Sequence, residues 1–263
     1  KLLGKLARDH AEKNGTINDD QYGSRAHRTA PEVLINGTLI SDIMQINGTE
    51  GAFEFNDAKG CFDRMIHQVV SVGMQRQGVP IQPIKSVLHT LQQMTHRIRT
   101  ATGVSKAKYG GKNKSQEFQG MKQGLGVAPT AWLFISSALM DHMKNSRYGF
   151  KYADPLQEEP DITISCLAYV DDSNVIHTFS QQGIAASEQL KEFQSAVNEW
   201  ETLIRMTGGA LEPAKSHWYI VKFTWHKDRW IYSKSQKDEL RIKMKGPDTN
   251  DLIDVERITV KEP

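Results

Sequence analysis

Apolar residues recur at helical spacing along much of the chain. Between residues 61 and 73, Phe62, Met65, Ile66, Val69 and Val70 fall three and four apart, which predicts an amphipathic helix. Ile84, Val87, Leu88, Leu91, Met94 and Ile98 repeat the pattern and predict a second over 81–101. A long helix is expected over 124–147, starting near Pro129, because proline fits a first turn. Others are expected over 30–46 and 183–206. The apolar-leaning stretch 51–55 reads as a strand leading to Asn56-Asp57. Residues 162–169 and 173–179 alternate β-formers around Asp171-Asp172, which places those aspartates in the turn of a β-hairpin. Strand-like runs follow over 218–224 and 229–232, and 240–262 is strand-prone. Residues 103–122, rich in Gly, Lys, Ser and Tyr with a Gly110-Gly111 step, predict a hairpin or mobile loop. Gln21-Tyr22-Gly23-Ser24-Arg25 reads as a loop entering the 30–46 helix.

Composition narrows the class. The chain has 263 residues, 38% hydrophobic and 24% charged, close to ordinary water-soluble domains and enough for one large domain or two interlocked ones. No run approaches the ~20 apolar residues of a bilayer span, so no membrane is expected. Two cysteines, Cys61 and Cys166, are too few for a disulfide framework or a cysteine-rich zinc site, which favours a reducing compartment. Lys1-Leu2-Leu3-Gly4 carries neither an initiator methionine nor a signal peptide, so the chain reads as part of a longer polypeptide. A net charge of +2 is low for a polyanion binder, so any nucleic-acid cleft must come from charge placement. Cations cluster at Arg25, His27 and Arg28, and again at His96, Arg97, Arg99, Lys106, Lys108, Lys112 and Lys114; carboxylates gather over 154–161.

Candidate chemistry lies in the aspartates. Metal-assisted phosphoryl transfer needs carboxylates from separate backbone elements converging on two Mg2+ ions, which take hard oxygen ligands. Asp57 at a strand end and Asp171 with Asp172 at a hairpin tip supply them if the two strands are sheet neighbours. Aspartates also favour turns for their own local hydrogen bonds, so the pair has a bland reading as well.

The surrounding residues resemble a known family. Tyr169-Val170-Asp171-Asp172 looks like the Tyr-x-Asp-Asp hairpin of reverse transcriptases. Asp57-Ala58-Lys59-Gly60-Cys61-Phe62 resembles their first palm motif. Gln123-Gly124-Leu125-Gly126-Val127-Ala128-Pro129 resembles their Gln-Gly-x-x-x-Ser-Pro motif, with Ala128 replacing the usual Ser. Gly208-Gly209-Ala210-Leu211-Glu212-Pro213-Ala214-Lys215 resembles their later lysine-bearing motif. All four stand in the family's order. Gly23-Ser24-Arg25-Ala26-His27-Arg28-Thr29 resembles the Gly-Phe-Arg-x-Gly-Arg-Ser-like fingers stretch of the non-long-terminal-repeat retroelement and group II intron type, departing at Ser24 and His27.

The resemblance implies an α+β fold: a right-hand polymerase palm with an antiparallel sheet backed by helices near 61–73, 126–146 and 183–206, partial fingers and no thumb. Fingers would come from 1–50 and 74–120, palm from 51–73 and 121–235, and 236–263 would lead towards the missing thumb. It implies RNA-directed DNA synthesis with Asp57, Asp171 and Asp172 holding two Mg2+ ions, Mn2+ being a substitute. Phe62 would be the sugar gate that excludes a 2′-hydroxyl, although a core ring is its plain alternative. Gln123 and Gly124 would floor the incoming base, Lys215 would approach the leaving pyrophosphate, Tyr169 would line the substrate, and Arg25 and Arg28 would clamp phosphates. Implied partners are an RNA template, a DNA or RNA primer, deoxynucleoside triphosphates and further domains of a longer parent, in the cytoplasm or nucleus. Three other readings compete. An RNA-dependent RNA polymerase would usually show Gly-Asp-Asp at the hairpin and Asp where Phe62 stands. A degenerate palm kept as an RNA-binding scaffold would tolerate loss of the aspartates, all three of which are present. The last is a soluble α+β domain with acidic turns and no such activity.

Overall fold

The computed structural model describes residues 1–111, 120–122, 124–153, 162–179, 185–233 and 240–259. They form two compact units, one of residues 1–17 and 60–135 and one of residues 18–59 and 136–263.

The second unit is built on a five-stranded sheet. Its central strand β1 (Gly51–Asn56) pairs antiparallel with β9 (Asp172–Thr178) on one side and β10 (His217–Val221) on the other. Beyond β9 lies β8 (Cys166–Tyr169), antiparallel, and at the far edge β15 (Glu256–Arg257) joins β10 in parallel. Successive residues of a strand point to opposite faces. Phe53 and Phe55 therefore share one face of β1, and Ala52, Glu54 and Asn56 the other. The helix α2 (Ala30–Asn47) covers the first face, where Val33, Ile40 and Met44 join Phe53, Leu167 and Ile176 in one buried cluster. It starts at a capping box between Thr29 and Glu32 and stops at Gly48 in the left-handed conformation. The second face meets α7 (Ala186–Met206), whose Trp200 indole N–H donates to Ser173 Oγ at 3.0 Å. Both faces are covered, and hence β1 is buried almost throughout.

The first unit gathers α1 (Leu2–Lys13), α3 (Cys61–Arg64), α4 (His67–Arg76), α5 (Ile81–Gln93) and the start of α6 (Ala128–Lys144) around Met65, Val70, Met74, Ile84 and Leu91. A ribbon of short strands, β2 (Thr95–His96), β3 (Arg99–Thr100), β4 (Gly103–Val104) and β5 (Tyr109–Gly110), projects after α5.

Several sequence expectations change, among them the run 218–224, which divides between β10 and a separate ribbon. The helix expected over 61–73 is two helices, because Met65 and Ile66 are extended, with ψ of 122° and 127°. Extended neighbours point to opposite sides, so Met65 is wholly buried while Ile66 faces out, whereas one continuous helix would bury both. The helix expected over 81–101 ends at Gln93; beyond it the chain turns extended and pairs with 103–110, which leaves Ile98 on the surface. The strand expected over 162–169 is interrupted at Ser165, whose hydroxyl donates to Tyr148 O at 2.9 Å, so that β7 (Ile162–Ile164) leaves the main sheet to pair with β6 (Phe150–Tyr152).

Short antiparallel ribbons complete the second unit: β11 (Phe223–His226) with β12 (Arg229–Tyr232), and β13 (Lys243–Lys245) with β14 (Leu252–Asp254). Cys61 and Cys166 are buried and form no disulfide. Among the described residues no helix is long and apolar enough to cross a membrane.

Candidate functional site

Asp57 is the first residue past β1 and Asp172 the first of β9. The last pair of that ladder is Asn56 with Ser173, so one step further Asp57 and Asp172 face each other at the same end of the sheet. Asp171 precedes Asp172 in the hairpin turn, and Tyr169, half-buried, is the ladder partner of Asp172. The turn itself is Val170-Asp171, a tight connection whose hand requires positive φ. Val170 takes φ 61°, a costly conformation for a β-branched residue that persists only where its surroundings over-determine it.

Those surroundings come from the segment read above as a loop. Gln21 is fully buried, and its amide brackets the turn: Oε1 accepts from Val170 N–H at 3.2 Å while Nε2 donates to Val170 O at 3.2 Å. The same group also accepts from Gly23 N–H at 2.9 Å and donates to Ser136 Oγ at 2.9 Å. Alongside it, Ala168 N–H donates to Asp20 O at 2.9 Å and Tyr22 N–H to Ala168 O at 2.8 Å, adding a short parallel edge to β8. Gly23 lies so close that a Cβ there would come within 2.0 Å of Val170 N. The structural role of Gln21 and Gly23 at this turn is not legible in the sequence, where the Gln-x-Gly spacing ahead of Arg25 is the one available signal.

The motif ending in Lys215 is stitched to the other strand end. Lys59 N–H donates to Ala210 O and Glu212 N–H to Asp57 O, both at 2.9 Å, which brings Lys215 Nζ to 3.5 Å from Asp57 Oδ2. Burial raises the Asp171 carboxyl above the usual range, with the charges of Asp172 and Asp57 adding and Lys215 partly opposing. Asp172 is raised by burial and then by Asp57. One lysine thus faces three mutually repelling carboxylates, a donor set of hard oxygens short of positive charge, which suits divalent cations. Among the described residues no three His, Cys, Asp or Glu side chains are gathered as a metal-ligand set.

The remaining candidates are placed differently. The Arg25 guanidinium is almost buried and donates to Asn18 O at 3.1 Å and Gln21 O at 3.3 Å, so it fastens the clamp loop. Arg28 lies over the Tyr22 ring at 5.3 Å and 3.6 Å from Glu32. Phe62, half-buried in the short helix α3, and Gly124 belong to the first unit. Gly124 takes φ 92° with open space where a Cβ would be, so backbone conformation is what asks for glycine there. Gln123 lies outside the described residues.

A mostly antiparallel sheet that presents Asp57 and Asp172 side by side, backed by helices, is the palm of a polymerase-type fold. The family described as "Reverse transcriptase (RNA-dependent DNA polymerase)" matches residues 1–241, and the chain belongs to it. A search of curated proteins found no match. Among solved structures, the chain resembles the telomerase of Candida albicans in complex with a TWJ fragment of telomeric RNA, at 11% identity and TM-score 0.51, over 95% of this chain and 37% of that one. Apo telomerase of Candida tropicalis truncated from the C-terminal domain gives 12% identity and TM-score 0.51, over 96% and 45%. At these identities the likeness is one of fold, and the chain spans under half the length of those proteins.

Proposed function

We propose that the chain carries out template-directed DNA synthesis by reverse transcription, extending a primer 3′-hydroxyl with deoxynucleoside triphosphates. The observation that carries this reading is the register that sets Asp57 against Asp172, with Asp171 beside them and one lysine, Lys215, facing the three. Asp57, Asp171 and Asp172 would hold two Mg2+ ions, or Mn2+; when bound, such ions activate the attacking oxygen and stabilise the leaving group.

The chain's own groups do the rest. The Gln21 clamp holds the turn that aims Asp171. Lys215, 3.5 Å from Asp57 and largely exposed, is placed to approach the leaving pyrophosphate. Phe62 fills the volume of a 2′-hydroxyl, Gln123 and Gly124 support the incoming base, and Tyr169 lines the substrate beside Asp172. Arg28 reaches phosphate, with Arg25 behind it. An RNA template fits the family, and the Candida albicans telomerase was likewise determined with RNA. The stretch from Gly23 to Thr29 favours the non-long-terminal-repeat or group II intron type. Further domains of a longer parent and an intracellular setting, cytoplasm or nucleus, complete the reading.

Primer extension on RNA and DNA templates tests it. Asp57→Asn and Asp171→Asn preserve volume and remove a ligand charge, so extension should fall by several orders of magnitude while the melting temperature stays near the parent's. An active parent whose two variants keep near-parental rates would overturn the assignment.

A further inference from the structure

The net charge of +2 conceals a strong separation. The unit of residues 1–17 and 60–135 contains 14 Lys and Arg against 4 Asp and Glu; the other contains 19 against 27. The two therefore carry formal charges of +10 and −8. Within the basic unit part of the excess is concentrated on the ribbon. Residues 95–110 hold four cations, Arg97, Arg99, Lys106 and Lys108, all exposed, and no acidic residue. None of the four forms an ion pair among the described residues.

The ribbon is shaped to present those charges. Thr95 and His96 pair with Gly110 and Tyr109, and Arg99 and Thr100 with Val104 and Gly103. Two residues on the outgoing arm oppose four on the return arm, so Ser105 to Lys108 bulge outward. Ser105 secures the bulge: its N–H donates to Ile98 O at 2.8 Å, and its hydroxyl accepts from Ile98 N–H at 3.0 Å and donates to Ala107 O at 2.8 Å. The base is tied down where Lys122 Nζ donates to His96 Nδ1 at 2.6 Å beside the Tyr109 ring. Beyond that base the ribbon buries little, leaving Ile98 61% and Val104 56% exposed. A two-stranded ribbon that covers no core adds little to folding, and its use lies in what it touches.

We propose that this ribbon is a sequence-independent arm for the phosphate backbone of the template–primer duplex, with Arg97, Arg99, Lys106 and Lys108 as the contacting cations. The inference rests on the polymerase reading above for the identity of the duplex. Complementarity of charge selects the partner: four exposed cations with no carboxylate among them, carried on one extended element, suit the phosphate backbone of a nucleic-acid strand.

The test is equilibrium binding of the 263-residue chain to a labelled RNA–DNA primer–template duplex across 50–200 mM salt, with the quadruple variant Arg97→Glu, Arg99→Glu, Lys106→Glu, Lys108→Glu. Each phosphate contact makes affinity fall about 3.5-fold over that fourfold rise in salt, so the parent should lose roughly a hundredfold more affinity than the variant. The double variant Lys227→Glu, Arg229→Glu, on the ribbon of the acidic unit, should keep the parental slope. Circular dichroism melts should superimpose, since the replaced side chains are exposed. Equal salt slopes for the parent and the quadruple variant, with the parent binding well, overturn the arm and leave the polymerase reading standing. A parent that binds no duplex at all overturns both. Loss of binding to anionic vesicles with duplex binding unchanged also overturns the arm and points to a lipid surface instead.

Discussion

Glu54 lies three residues before Asp57, on the face of β1 that meets α7, and is completely buried. One carboxyl oxygen accepts from Asn56 Nδ2 at 3.0 Å; the other, like Asn56 Oδ1, has no hydrogen-bond partner among the described residues. The facing charge is Glu201, itself engaged by Arg205 Nε at 2.9 Å and Lys245 N–H at 3.0 Å. Burial, with the charge of Glu201 adding and the Asn56 bond opposing, pushes the Glu54 pKa from 4.5 up to about 8. The folded protein therefore keeps this proton to about pH 8, whereas the unfolded chain loses it near 4.5. Between those values the unfolded state binds fewer protons, so the contribution of Glu54 to stability is fully present below 4.5 and lost as pH rises to about 8. Each pH unit of that separation is worth about 1.4 kcal/mol, which sets a ceiling of about 5 kcal/mol. Glu54→Gln retains the shape and cannot ionise. Urea denaturation at pH 5, 6.5 and 8.5 should show the glutamine variant gaining on the parent with each step, by up to several kcal/mol at the highest pH. Asp20, raised to about 6 mainly by burial, titrates in both proteins and cancels in the difference. A gap between the two proteins that stays constant from pH 5 to 8.5 would refute a protonated, buried Glu54.

Gln21→Leu keeps the volume but strips both hydrogen bonds from Val170, leaving buried polar groups unsatisfied at about 1–3 kcal/mol; kcat in primer extension should fall at least tenfold with KM for deoxynucleotide little changed, and equal kcat would remove the clamp. Gly23→Ala, placing a methyl 2.0 Å from Val170 N, should reduce extension as strongly as Gln21→Leu, and a normal rate would show that the turn has room to shift. Phe62→Val should lower the ratio of kcat/KM for deoxynucleotide over ribonucleotide by roughly one to three orders of magnitude. A core-only role would instead depress both substrates together through lost stability, and an unchanged ratio would dismiss the gate.

What the chain reveals residue by residue is the part whose causes are local. Alternating β-formers and a two-residue turn signal made the hairpin around Asp171 readable, and Pro129 marked the start of α6 to within a residue. The ordered motifs around Asp57, Gln123, Asp171 and Lys215 identified the family because each is a short contiguous string. Periodicity failed at Met65-Ile66 and past Gln93, where spacing alone cannot tell a helix face from an extended pair whose partners lie elsewhere. Other features depended on partners far away in sequence. Gln21 acquires its role from Val170, 149 residues on, and Lys215 reaches Asp57 only because Ala210 and Glu212 bond to the strand end. Glu54 looks like any strand glutamate until α7 closes over it. The separation into units of +10 and −8 is hidden in a total of +2, since each unit is assembled from two stretches of chain that alternate in sequence. Sequence determined the local conformations and the chemistry available, because both follow from neighbouring residues; burial, strain and electrostatic environment were decided by tertiary structure, because they depend on which distant groups the fold brings together.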